Sequence, residues 1–176
     1  MDENLQQVYS GLAAHCNKMK EGKYLMSTGT MTSLLRYITS QPALMSCLEK
    51  CNYGFRYATE LETAMSGGIF KLPLGSKKIV ALVTGLLFEM VRGGVNFHNF
   101  IKKYYRAATL DMSFDLFVAR VIMPFLMAFR TMLNGESEPD SSAVADDDNP
   151  VAAGVNEPRP PLTMPSPDSV AVATPL

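Results

Sequence analysis

The sequence is poor in the residues that carry most catalytic chemistry. It has two histidines, His15 and His98, and three cysteines. Neither histidine has a carboxylate or hydroxyl at a spacing that places both groups on one helical face, and the H-E-x-x-H and G-x-S-x-G motifs are absent. The sequence therefore predicts a protein that is not an enzyme and uses no cofactor.

The cysteines lack the spacing of an ordinary metal site. Cys47 and Cys51 lie four residues apart, and with His15 and Cys16 they would supply four zinc ligands. Zinc knuckles, however, hold their cysteines on loops, and His15 and Cys16 point about 100° apart on a helix. We expect free, buried cysteines and no metal, although the sequence leaves open whether the three thiols meet in space. An odd number of cysteines also fits a reducing compartment.

Long uncharged apolar runs are lacking as well. IVALVTGLLFEMV spans about 13 residues where a membrane helix needs about 20. The segment Phe114–Leu133 is long enough, but it carries Asp115, Arg120 and Arg130, with Arg120 near its middle. The N-terminus has neither a basic region nor a continuous apolar stretch typical of a signal peptide. These features predict a cytoplasmic protein with no membrane contact.

Composition changes sharply near Asn134. Residues 134–176 contain 8 of the 11 prolines and 8 of the 17 acidic residues, but one basic residue and no aromatic residue. Such a segment buries too little apolar surface to offset the entropy of ordering. We therefore predict a folded helical domain at 1–133 and a disordered, acidic, proline-rich tail at 134–176.

The domain and tail differ in charge. Residues 1–133 hold 15 basic and 9 acidic side chains, a net charge of +6 within a chain whose total is −1. A basic domain indicates an anionic partner or a tail that screens it. The candidate anion- or partner-binding residues are Lys77, Lys78, Arg92, Lys102, Lys103 and Arg106.

Apolar residues recur with helical period along residues 1–133, and no alternation typical of a strand exceeds four residues. We predict an all-α fold, an irregular bundle of six to seven helices. The predicted segments are a first helix from Leu5 capped by Asp2, then 31–40, a short helix opened by Pro42, 53–65, 77–92, 97–106 and 114–133.

Local signals set several expected helix ends. We expect Ser76, Asn96 and Ser113 to cap their helices, and Gly93 to end one in the left-handed conformation. Pro124 should kink the last helix around Arg120–Pro124. The 77–92 helix lacks a polar face and should be buried, with Glu89 paired to Arg92.

The segment NFHNFIKKYYR mixes aromatic and basic residues. On a helix, Phe97, Phe100, Ile101, Tyr104 and Ala108 form one stripe, and the charges lie on the other side. Nucleic acid could then contact charges but not stack, unless Tyr105 is exposed. We predict a non-enzymatic binding or regulatory protein acting through protein–protein contacts; the alternative is weak, electrostatic nucleic-acid binding by the basic face. The partner and the oligomeric state remain open.

Over roughly residues 71–125, KLPLGSKKIVALVTGLLFEMVRGGVNFHNFIKKYY followed by SFDLFVARVIMPF resembles a pattern in small all-helical bacterial proteins. Those proteins have a lysine–leucine–proline start, an apolar helix, a phenylalanine-bearing helix and a final helix with IxPF, and they have no established activity. The resemblance implies an all-helical fold and a bacterial cytosolic setting. This chain differs by its double glycine and its acidic tail.

Overall fold

A computed structural model of the chain describes residues 3–135, and within that range the fold is all-α, as predicted. The predicted cap Asp2 and the predicted tail from residue 136 onward lie outside the described residues. The seven helices are α1 (Glu3–Glu21), α2 (Ser27–Ser40), α3 (Pro42–Asn52), α4 (Tyr57–Met65), α5 (Ser76–Arg92), α6 (Phe97–Tyr104) and α7 (Leu110–Leu133). Short 3-10 turns lie at Tyr24–Met26 and Ser66–Gly68.

Helix α5 is the centre of the bundle. It packs against α2, α3, α4 and the second half of α7, and α1 packs on α2. Nine of its 17 residues are buried, which agrees with the absence of a polar face in the sequence. Because α5 is surrounded, its two ends and the loops beyond them are the parts that reach solvent.

The ends of α5 differ in part from the prediction. Gly93 has a φ of 82° and ends the helix in the left-handed conformation, as expected. At the other end, Gly75 with a φ of 94° occupies the cap position, and Ser76 is the first helical residue and is buried. The prediction of a Ser76 cap was wrong because the chain needs a positive φ there, which glycine adopts without strain.

The observed N-terminal cap agrees with the prediction for α6 but not for α7. The Asn96 side chain accepts a hydrogen bond from the Asn99 amide at 2.9 Å, as predicted. Thr109, not Ser113, caps α7 by accepting from the Met112 amide at 3.1 Å. Ser113 lies one turn inside, buried, and donates to the Thr109 carbonyl. Thr109 and Ser113 both carry a hydroxyl that could cap α7, and the sequence-based prediction of Ser113 was wrong.

Helix α7 contains a π-helical turn at Val118–Ile122, between α-helical segments Leu110–Phe117 and Met123–Leu133. The Met123 amide donates to the Val118 carbonyl across this wider turn. This π turn overlaps the segment Arg120–Pro124, where a kink was predicted. Its position fits Pro124, which has no amide to donate.

Three other predicted boundaries move. Helix α2 begins at Ser27 rather than near Met31, and α4 begins at Tyr57 because Gly54 makes a turn with a φ of 72°. Helix α6 ends at Tyr104, two residues before the predicted end. Each shift lies at an end with weak local signals, where boundaries are least determined.

Candidate functional site

The six predicted binding residues lie in three places rather than on one face. Lys77 and Lys78 lie in the first turn of α5, and Arg92 is its last residue. Fifteen residues at 1.5 Å each separate Lys77 from Arg92 by about 22 Å. Lys102 and Lys103 lie in the last turn of α6, and Arg106 follows that helix. All six side chains are exposed.

Several of these charges already have neighbours. Lys78 Nζ lies 3.1 Å from Glu60 Oε1, the only ion pair between residues 3 and 135. Exposed pairs of this kind contribute about 0–1 kcal/mol to stability. The Arg92 guanidinium lies 5.8 Å from the Phe88 ring centre, and Lys103 Nζ lies 4.9 Å from that of Tyr104. The expected Glu89–Arg92 ion pair is absent, because the Glu89 carboxylate lies against Gly94 instead.

Lys102 and Arg106 share a shallow concavity of about 400 Å³ at the start of α7. Its other lining residues are Ala107, Ala108, Thr109, Leu110 and Ser113. Ala108, predicted to lie on the inner stripe, is exposed here because α6 has already ended. Only this part of the predicted set forms a shared surface feature.

The aromatic residues of α6 face inward. Phe97, Phe100, Ile101 and Tyr104 are buried, as the stripe predicted, and Tyr105 is only 3% exposed. Phe100 lies 5.1 Å from Phe70 and 6.2 Å from Phe117, ring centre to ring centre. Burial also raises the pKa of the Tyr105 phenol well above its usual value, with the Arg120 charge opposing it. Tyr105 therefore offers no exposed ring on which a base could stack.

A second concavity lies around Tyr24, at the turn between α1 and α2. The Tyr24 amide donates to Asp111 Oδ1 at 2.9 Å, and the Tyr24 hydroxyl lies 2.9 Å from His98 Nδ1. The Tyr24 ring stacks on Phe97 at 6.0 Å. We call Tyr24, Phe97, His98 and Asp111 the Tyr24 corner. These contacts join the α1–α2 turn to α6 and α7.

Three exposed apolar side chains are next or nearly next in the chain to residues of the Tyr24 corner. Leu25 is 92% exposed, Met26 is 64% exposed and Met112, next to Asp111, is 51% exposed. The adjoining concavity is about 340 Å³ in volume and is lined by Tyr24, Leu25, Ser27, Thr28, Met90, Gly93, Val95, Asn96, Phe97 and His98. Of the three exposed apolar side chains, Leu25 lines this hollow, and Met26 follows it in the chain.

The sequence analysis did not find this surface, because the segment GKYLMSTG lies before the predicted 31–40 helix and belongs to no predicted helix or motif. The signal was present: three large residues, Tyr-Leu-Met, in an otherwise polar connection. A segment that only joins two helices has no need of such large residues, and small polar ones would suffice. The partner of Tyr24, His98, is 74 positions away, which no local pattern reveals.

Both histidines contact a hydroxyl from another helix or turn. His15 Nδ1 lies 3.2 Å from Ser33 Oγ, and His98 Nδ1 lies 2.9 Å from Tyr24 Oη. The expectation that no hydroxyl faces a histidine holds along each helix but not between elements. No carboxylate hydrogen-bonds to either ring within residues 3–135, so the orienting third group of a catalytic triad is not in place.

The cysteines are free and buried, as expected. Burial raises the pKa of the Cys16 thiol to about 12. Cys47 and Cys51 interact with each other: the Cys51 side chain lowers the pKa of the Cys47 thiol, and the Cys47 side chain, together with burial, raises that of Cys51. In the described part of the chain, no three histidine, cysteine, aspartate or glutamate residues form a metal-binding group, so the four-ligand site does not assemble.

No family model, curated protein or solved structure matches this chain. One helix in the described range, Leu110–Leu133, is long and apolar enough to cross a membrane by length and composition alone. The same helix supplies Phe114, Phe117, Phe125 and Phe129 to the core, each fully buried. A core helix passes the same test, so this result is weak evidence of a membrane span.

Proposed function

We propose that this chain is a non-enzymatic binding protein, and that the surface around Leu25 binds an acidic segment of a partner protein through an apolar anchor. The observation that carries the proposal is the 92% exposure of Leu25 beside the hollow of the Tyr24 corner. Single exposed apolar residues are common, so the proposal depends on the position of Leu25 at a concavity, the kind of surface that binds ligands.

Methionine suits such a role. Met26 and Met112 have flexible, polarizable side chains that adapt to differently shaped anchors. The neighbouring Tyr24 corner is held by two hydrogen bonds and a ring stack, so the backbone there is fixed while the exposed methionine side chains can adjust. Binding then costs little ordering of the backbone.

Charge selects the partner's chemistry. Lys23 precedes Tyr24, Arg92 precedes the lining residue Gly93, and Lys102 lies one helical turn beyond His98. All three are exposed. Because the domain carries a net +6, carboxylates flanking an apolar anchor complement this surface.

Electrostatic nucleic-acid binding is the weaker alternative. Its predicted basic face is divided among three places, Lys78 is paired with Glu60, and the α6 aromatic rings are buried. Any such binding would depend on phosphate contacts alone and would fall steeply with salt. We also infer a cytoplasmic protein, since α7 buries its phenylalanines in the bundle and carries charges along its length.

The proposal can be tested with a photo-reactive amino acid placed at position 25 and, as a matched control, at position 74. Leu74 is 94% exposed and lines neither concavity. We expect crosslinks from position 25 to peptides of another protein that carry an apolar residue among aspartates or glutamates. They should disappear in a Met26→Asp variant and weaken with salt.

Three outcomes would overturn it. Crosslinks of equal yield from both positions would mean that the surface is not selective. Crosslinks from position 25 to this same chain would identify a self-association surface, which light scattering would confirm. Crosslinks to nucleic acid would favour the alternative.

A further inference from the structure

Helix α3 places two thiols side by side. Cys47 and Cys51 are one helical turn apart on the buried side of α3, and each thiol shifts the pKa of the other. Cys51 is fully buried and Cys47 is 6% exposed, so the pair lies beneath the surface with one edge near solvent. Cys16, on α1, belongs to no shared metal-binding group in the described residues.

The spacing disfavours a disulfide between these two residues. Side chains at i and i+4 of a helix have Cβ atoms about 5–6 Å apart. A relaxed disulfide needs Cβ atoms about 3.5–4.5 Å apart. Closing the bond would therefore distort α3, which packs against α5 and the second half of α7. A metal ion bound between the two sulfurs would bridge this longer distance without distorting the helix.

Two lysines act electrostatically on the pair. Lys50 acts on Cys47, and Lys77 in the first turn of α5 acts on Cys51. The N-terminal end of α5 adds a partial positive charge of its own. A negatively charged group formed by the two sulfurs would thus be partly neutralised. Lys77 is also one of the candidate anion-binding residues of the sequence.

We propose that Cys47 and Cys51 form a two-coordinate site for a soft monovalent cation, of which Cu(I) is the biological example. Thiolates select soft ions, and no third histidine, cysteine, aspartate or glutamate joins the pair within the described residues, whereas structural zinc requires four ligands. Binding replaces the two thiol protons with one Cu(I), releases both protons and transfers no electron. The complex has a net charge of −1, opposite to Lys50 and Lys77.

The test is an anaerobic titration of the full chain with Cu(I) against a competing chromogenic chelator, followed by X-ray absorption spectroscopy of the loaded protein. We expect one Cu(I) per chain with two sulfur ligands. Cys47→Ala and Cys51→Ala should each abolish tight binding, and Cys16→Ala, the matched control with an equally buried thiol, should retain it.

Folding of each variant is checked by circular dichroism, and Ag(I), a redox-inert analogue, gives a second readout. Ag(I) should raise the melting temperature of the wild type and of Cys16→Ala but not of Cys47→Ala. Binding that survives loss of both Cys47 and Cys51 would overturn the proposal. So would equal loss in Cys16→Ala, or a spectrum with more than two sulfur ligands.

Discussion

Glycine at position 11 lets two helices approach closely. A Cβ atom at Gly11 of α1 would overlap the Tyr37 hydroxyl of α2. That hydroxyl donates to the Val8 carbonyl at 3.0 Å, and the Tyr37 ring lies 4.8 Å from His15, so the side chain has little freedom to move away. The contact joins α1 to α2 through backbone as well as side chains.

We therefore expect Gly11→Ala to destabilise the fold by about 1–3 kcal/mol, the usual cost of overpacking. The matched control is Gly29→Ala in α2, where no atom lies within 4 Å of the new Cβ. That change should stabilise by about 0.5 kcal/mol because alanine loses less entropy on folding. Urea unfolding of both variants measures the difference, and two effects of the same sign would contradict the assignment.

His15 makes stability depend on pH. Burial, and then the charge of Lys18, lower the pKa of His15 from its ordinary value of 6.5. The unfolded chain thus binds this proton more readily than the folded one. The stability that neutral His15 contributes is therefore fully present above about pH 6.5. It is lost as the pH falls through the pKa of His15 in the folded protein, which lies below that value.

We expect the wild type to lose more stability between pH 7.5 and 5.5 than His15→Gln, which cannot titrate but can still hydrogen-bond to Ser33. Urea midpoints of the two proteins at each pH give the comparison. His98 is present in both proteins, so it cancels. Parallel pH profiles would show that His15 has no such role.

The π turn of α7 keeps its phenylalanines on one face. From Phe117 to Phe129 an α-helix would turn through three full turns and about 120° more. The extra residue held by the turn at Val118–Ile122 removes about 100° of that excess. Both rings are fully buried, so the turn is what aligns the two halves of α7 with the core.

Two single-residue deletions test this geometry, each in a Pro124→Ala background so that a regular helix can form. Deleting the exposed Ala119 removes the extra residue and keeps the register, so we expect a loss below about 2 kcal/mol, less than a buried aromatic is worth. Deleting the exposed Met127 rotates Phe129 out of the core and should cost about 3–5 kcal/mol. Urea unfolding measures both, and equal losses would refute the alignment role.

Helices were predictable where apolar period and end signals agreed. The Pro42 start, the Gly93 stop and the Asn96 cap were confirmed because each depends on a single residue, through the backbone for Pro42 and Gly93 and through the side chain for Asn96. Ser76 and Ser113 were misassigned since a neighbour, Gly75 or Thr109, held the cap instead. Such competition is settled by packing, and both serines are buried.

The candidate sites were less predictable than the fold. The Tyr24 corner depends on Tyr24 meeting His98 and Asp111, contacts made across 74 and 87 positions. The thiol pair was visible as a four-residue spacing, but its neighbour Lys77 comes from another helix. Sequence period fixes which side of a helix is buried; it does not fix which helices meet, and sites form where they meet.

Charge acts on the chain as a whole. Residues 1–135 carry a net +6, and the acidic residues from 136 onward bring the total to −1. Truncation after Gly135 keeps the turn that ends α7, in which the Gly135 amide donates to the Met132 carbonyl at 3.3 Å. It therefore changes the net charge of the molecule while leaving the described helices complete.

We expect the truncated protein to elute from heparin at higher salt than the full chain, because removing the acidic segment raises the domain's attraction for polyanions. The control is a full-length chain in which the acidic residues beyond Gly135 are replaced by their amides, which alters charge without altering length. It should elute with the truncated protein. Elution of all three proteins at the same low ionic strength would mean that the acidic segment does not screen the domain. Elution of the amide variant with the wild type would instead assign the effect to chain length rather than to charge.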